Sequence, residues 1–322
     1  MHSRIALFAA SLLACAFAAP AARAEWPDHP IRWVVPFGPG GANDLIARVA
    51  ADGVRKGLGQ PVVIENRPGA GAVVGTAAVA NAAPDGYTFL VSANGVVTNS
   101  MLIKNLPYTD AQIVPVGRIA VAPSVIVVHP SVPANNLKEF VAWARQQGDK
   151  GVNWATAGSG STPHFVAEML KEAGVQLNII PYKSGNDAVT AVLSNSVSAT
   201  SEASIVVLPQ IKAGLLKAVA TTYEKRISAE PSIQTAIEQG YPNVQIGHWA
   251  GLFAPRGTPE PIVQRMNAEL QAAMKLPEVK NKLAESGIET NEGPIPEFVA
   301  FIEKERARLG ALVVKAKMGD AQ

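Results

Sequence analysis

The chain has 322 residues, enough for roughly two domains at about 150 residues each. Apolar residues make up 48% and charged residues 17%, a globular balance that excludes a disordered polymer; 27 Gly and 24 Pro are too few for a collagen-like or low-complexity chain. The formal net charge is +2 with no Lys/Arg block, so nothing suggests a nucleic-acid or membrane-surface partner, and the single cysteine, Cys15, excludes disulfide scaffolds and cysteine zinc sites.

Residues 1–24 read as a signal peptide. Arg4 is the sole early charge, 5–17 is an apolar run, and Ala22-Arg23-Ala24 forms an A-x-A cleavage site. The run is shorter than the roughly 20 apolar residues that span a bilayer. Cleavage after Ala24 removes Arg4, Arg23 and Cys15, so the expected mature protein starts at Glu25 with zero formal charge and no cysteine. Leu12-Leu13-Ala14-Cys15 also resembles a lipobox, but Leu13 is a poor residue there and apolar sequence continues past Cys15. No twin arginine is present, so export in the unfolded state is expected, which argues against a cofactor inserted in the cytoplasm.

From there the chain alternates strand-like runs with helical patterns. Residues 31–35 read as a strand and 37–41 as a Gly/Pro turn. Residues 43–58 read as a helix with Leu45, Ile46, Val49 and Val54 on one face, closed by Gly59. A strand over 61–65, a helix ending at Asn81 and a strand over 87–92 complete a unit expected to form a parallel sheet. A long β-rich stretch over 114–129, interrupted near Pro123, suits a strand leaving one domain for another. Helices over 137–147 and 163–173 alternate with strands over 152–156 and 178–182. A helix near 187–194 and strands near 197–202 and 216–222 follow. The chain is β-like again over 248–254 and reads as helical from Thr258 almost to its end, with Phe298, Ile302 and Leu309 striping the last helix. Two α/β lobes with hinge crossings near 123 and 248 are expected: 25–123 plus 248–322, and 124–247. Each lobe is expected to hold a mainly parallel sheet flanked by helices.

Three Gly-rich turns carry the chemistry. After the first strand, Gly38-Pro39-Gly40-Gly41-Ala42-Asn43-Asp44 lets a ligand approach backbone N–H groups at a helix N-terminus, although an ordinary turn capped by Asn43 or Asp44 explains it equally well. Gly69-Ala70-Gly71-Ala72-Val73-Val74-Gly75 has the wrong spacing for a dinucleotide fingerprint and reads as a packed turn. In Gly158-Ser159-Gly160-Ser161-Thr162-Pro163-His164, Thr162 is placed as N-cap and Pro163 as the first helical residue, which aims hydroxyls and turn N–H groups at one spot, a carboxylate cradle. The segment does not match the serine-nucleophile motif G-x-S-x-G. His29, His129, His164 and His248 lack metal spacing, so no metal is expected.

Trp26-Pro27-Asp28-His29-Pro30-Ile31-Arg32, running into Val34-Val35-Pro36-Phe37-Gly38-Pro39-Gly40-Gly41, resembles the mature start of the Bug-type (TctC-like) solute receptors of tripartite tricarboxylate transporters. Glu65-Asn66-Arg67-Pro68-Gly69, Ala83-Pro84-Asp85-Gly86-Tyr87, Pro181-Tyr182-Lys183-Ser184-Gly185 and Ala254-Pro255-Arg256-Gly257-Thr258-Pro259 are similar to the same family, in order and over nearly the whole mature chain. The resemblance implies a two-lobed periplasmic-binding-protein (Venus flytrap) fold and a periplasmic monomer without cofactor. It implies capture of a small carboxylate and its delivery to an integral-membrane permease. On matching positions, Phe37, Gly41, Ala42, Asn43 and Asp44 would face Ser159, Thr162 and His164, with Ser92, Ala93 and Asn94 lining the same mouth. The family often has an acid near Glu202, where Glu in place of Asp extends the carboxyl by one methylene; the segment 198–204 is more polar than usual, and Ser184 replaces a frequent glycine. These departures leave the ligand open between aliphatic and aromatic, mono- and dicarboxylate; Phe37 or Trp249 could stack on a ring such as that of terephthalate. The alternatives are an exported α/β enzyme acting on a carboxylate and a subunit presenting ligand to a membrane sensor.

Overall fold

The computed structural model describes residues 26–318; the signal-peptide reading, Cys15 and the cleavage site after Ala24 lie outside the described residues. β1 (Ile31–Val35) leads through the first Gly-rich turn into α1 (Ala42–Leu58), whose apolar face buries Ile46, Ala50 and Val54. β2 (Val62–Asn66) and β3 (Thr88–Ser92) flank β1, both parallel to it. β2 forms the half-exposed edge, whereas β3 is buried throughout. α2 (Val73–Ala80) joins these two strands, and α3 (Gly95–Leu102) follows β3.

β4 (Ile113–Val128) is the spine of the molecule. From Ile113 to Pro123 it pairs antiparallel with β9 (Gly247–Pro255), which also pairs with β3. From Ser124 to Val128 it lies between β7 (Ala199–Ala203) and β8 (Lys217–Thr221). β5 (Val152–Thr156) then joins β7 to β6 (Leu177–Pro181) in parallel. The change of partners at Pro123/Ser124 separates one half of the sheet, β2-β1-β3-β9-β4, from the other, β4-β7-β5-β6. The return of the chain is fastened beside that point. Thr222 N–H donates to Ser124 O at 2.8 Å, and its Oγ1 donates to Ile246 O at 2.6 Å.

Helices cover these strands: α4 (Leu137–Gln146), α5 (Thr162–Glu172), α6 (Gly185–Leu193) and α7 (Ser204–Lys212) in the second half. α8 (Glu260–Lys275), α9 (Pro277–Ala284) and α10 (Ile295–Lys315) return to the first. Phe298, Ile302 and Leu309 are buried, as the stripe on the last helix requires.

Three features depart from the sequence expectation. The sheet is mixed: each half has three parallel strands, but β4 and β9 run antiparallel to their neighbours because they carry the chain out and back. The C-terminal region is not continuously helical, since β10 (Glu289–Thr290) pairs with β4. Helices α3 and α7 occupy segments with no helical periodicity. Val96 and Val97 in α3 and Val206, Val207 and Leu208 in α7 are all buried, so neither helix shows a clear polar face, and α7 also contains Pro209.

Candidate ligand-binding site

Strand ends and helix starts from both halves converge on one cavity of about 40 Å³. The first half contributes Phe37, Gly41, Ala42 and Asn43 from the turn after β1, with Ala93 and Asn94 after β3. The second half contributes Thr162 at the start of α5, Gly185 at the start of α6 and Glu202 in β7, and His248 enters from β9. Helices α1, α3 and α5 begin here without a side-chain cap, so the positive ends of their dipoles meet at the cavity, although Val96, Val97 and His164 N–H already bond within their own first turns. No Lys or Arg lines this cavity among the described residues.

The halves touch across it. Asn94 Nδ2 donates to Thr162 Oγ1 at 3.1 Å, and Trp249 Nε1 donates to Asn94 Oδ1, so Asn94 links β9, α3 and α5. Trp249 itself is core: its ring is 1% exposed and packs edge-on against Phe298 and Phe301. Gly71, at φ +60, lies so close to the opposing turn that a Cβ there would sit 2.5 Å from Ser159 O. At Gly185 a Cβ would sit 2.2 Å from Glu202 Oε1, which explains the need for glycine at that helix start.

Glu202 and His248 are the ionisable side chains of the cavity wall. Burial pushes the Glu202 carboxyl up to about 7, against a 3.0 Å hydrogen bond from Ala203 N–H that favours its ionised form. Burial also holds the His248 imidazole down to about 3, so it is neutral at pH 7. His248 Nε2 has no hydrogen-bond partner within the described residues.

Four residues expected at the site do not line this cavity. Asp44 turns back on its own helix: its carboxylate accepts from Gly40 N–H, Arg48 and Asn66 at 2.8–3.0 Å. Burial opposes its ionisation, but those bonds outweigh burial and hold it below the usual carboxylate range. His164 Nδ1 accepts from Gly160 N–H at 3.1 Å and braces the turn, while burial lowers its pKa to about 4. Ser92 is buried at the end of β3 with its hydroxyl unpartnered. Ser159 faces a larger neighbouring groove. Conversely, His248 and Gly185 were not expected. His248 carries no signal in the sequence because it belongs to no metal or catalytic spacing, and Gly185 is one of many turn glycines.

Known proteins share this fold. Residues 46–318 match the model of the tripartite tricarboxylate transporter family receptor. The chain belongs to that family. A UPF0065 protein of Bordetella pertussis is 35% identical over 304 residues, covering 94% of each chain. Protein BugT from the same organism is 33% identical, covering 89% of each. Among solved structures, the periplasmic binding protein BugD superposes with a TM-score of 0.87 at 35% identity, over 91% of this chain and 99% of its own. MatC from Rhodopseudomonas palustris, solved with bound malate, gives 0.83 at 30% identity, over 89% and 100%. An R. palustris protein solved with adipate gives 0.87 at 30% identity, over 91% and 99%. The fold is therefore the two-lobed α/β fold of the Bug/TctC periplasmic solute-binding proteins, and this chain is a receptor of that kind.

Proposed function

We propose that this receptor captures a small carboxylate between its two lobes in the periplasm and hands it, unchanged, to a tripartite tricarboxylate-type membrane permease. The observation that carries the reading is the meeting of three helix N-termini without side-chain caps, from both halves of the sheet, at a cavity that no Lys or Arg lines among the described residues. Backbone N–H groups and the Thr162 hydroxyl then meet the anion in place of a guanidinium. The malate and adipate of the two R. palustris relatives support a carboxylate as the ligand class. In this reading Phe37, Gly41, Ala42, Asn43, Ala93, Asn94, Thr162 and Glu202 surround the ligand, with His248 added. Asp44 and His164 hold the turns that present it.

The lobes would be 25–123 with 248–322, and 124–247, closing about the paired crossings beside Thr222. The mature protein would begin at Glu25 after removal of the signal peptide and act as a monomer. A thermal-shift screen against mono- and dicarboxylates, followed by native mass spectrometry, tests the function. A receptor releases its ligand with unaltered mass after denaturation, whereas an enzyme acting on a carboxylate releases a changed product.

A further inference from the structure

We propose that the ligand is a carboxylate with an extended, largely apolar body: its head group occupies the inner cavity, its body passes between Phe37 and Ala157 into the neighbouring groove, and a second anionic end meets Lys183. The inference rests on the carboxylate-receptor reading above.

Volume is the first argument. About 10–15 Å³ of such space holds one water, so the inner cavity of about 40 Å³ takes a carboxylate head group and little more. Ligand sites usually offer about 300–1,000 Å³. The adjoining groove supplies about 1060 Å³. Phe37, from the first half, and Ala157, from the second, line both spaces, so the two adjoin at this pair, which is the route we assign to a body longer than the head group.

The second argument is the chemistry of the groove walls. Pro36, Val73, Ile103, Pro181, Tyr182 and Ala191 make them mainly apolar, and they come from both sides of the cleft. Two charged residues stand among them, Lys183 and Asp187. Asp187 is engaged, accepting from the Ser184 hydroxyl at 2.8 Å. Lys183 lies in the turn before α6 and has no carboxylate partner within the described residues. Among the described residues it is the one cation lining either space, so a second carboxylate has a single electrostatic anchor there and reaches it only if the body is long enough.

Calorimetric titration with succinate, adipate, suberate and sebacate, alongside hexanoate and octanoate, tests this. Affinity should rise about two- to fourfold per added methylene as the body enters the groove. Lys183→Gln should weaken suberate and sebacate by about fivefold and leave the monocarboxylates unchanged, because the exposed ion pair is modest and absent from them. Affinity that is flat or falls beyond succinate overturns the groove assignment, as does an equal effect of Lys183→Gln on both classes. In either case the measured binding leaves the receptor reading intact. No heat with any member removes the carboxylate reading and this inference together.

Discussion

Glu202 Oε2 lies 3.6 Å from His248 Nε2, beyond hydrogen-bond reach, with both side chains more than nine-tenths buried in the cavity wall. Burial favours the neutral form of each, so the pair brings no fixed charge to the ligand between about pH 3 and pH 7.

For stability, the sign follows from linkage. The Glu202 pKa rises from 4.5 unfolded to about 7 folded, so the folded state binds more protons between those values and its stability falls as pH rises through that window. The His248 pKa drops from 6.5 to about 3, which gives the opposite slope from pH 3 to 6.5. Glu202→Gln removes the first effect alone. The variant should gain on the parent by up to about 3 kcal/mol between pH 4.5 and 8. Urea denaturation at both pH values measures it; a gain independent of pH would mean that Glu202 titrates normally.

Ligand affinity should depend on pH for the same reason. An anion beside Glu202 is repelled once that carboxylate ionises, so binding of a fully ionised carboxylate should weaken above about pH 7. Glu202→Gln should flatten the profile and change the ranking among carboxylates by about 1 kcal/mol or more. Calorimetry at pH 6 and 8 decides this, and a parallel decline in parent and variant would place the titrating group elsewhere.

Thr162→Val keeps the side-chain shape but deprives Asn94 Nδ2 of its acceptor and the ligand of a donor. The loss of affinity should be about 1–3 kcal/mol, the range for leaving a buried polar group unsatisfied. Global stability should change less, because water reaches both groups when the lobes part. Backbone dipoles act at short range, so parental affinity for a monocarboxylate should vary little between low and high salt. A tenfold loss in high salt for that monocarboxylate would show that exposed charges hold the head group.

The sequence carries the fold through its alternating periodicities and its glycines, and the family motifs span the cleft. What it conceals is side-chain direction. Asn43 and Asp44 are neighbours in one turn, yet only Asn43 lines the cavity, because Arg48, one helical turn on, and Asn66 from β2 take the Asp44 carboxylate. His164 is turned aside by a bond to Gly160, four residues back. His248 reaches the site from a strand about 85 residues further on, through a crossing that local pattern locates but cannot orient. Helices α3 and α7 were hidden because burial on most sides erases the polar face that periodicity needs.

Closure on the ligand is most directly measured by small-angle scattering, with and without the carboxylate that gives the largest thermal shift. The parent should show a smaller radius of gyration at saturation, because only the closed cleft touches the ligand from both lobes. Gly71→Val should keep the larger radius, since its Cβ meets Ser159 O at 2.5 Å and its φ of +60 disfavours a β-branched residue. A parental radius that stays unchanged at saturating ligand would contradict capture by lobe closure.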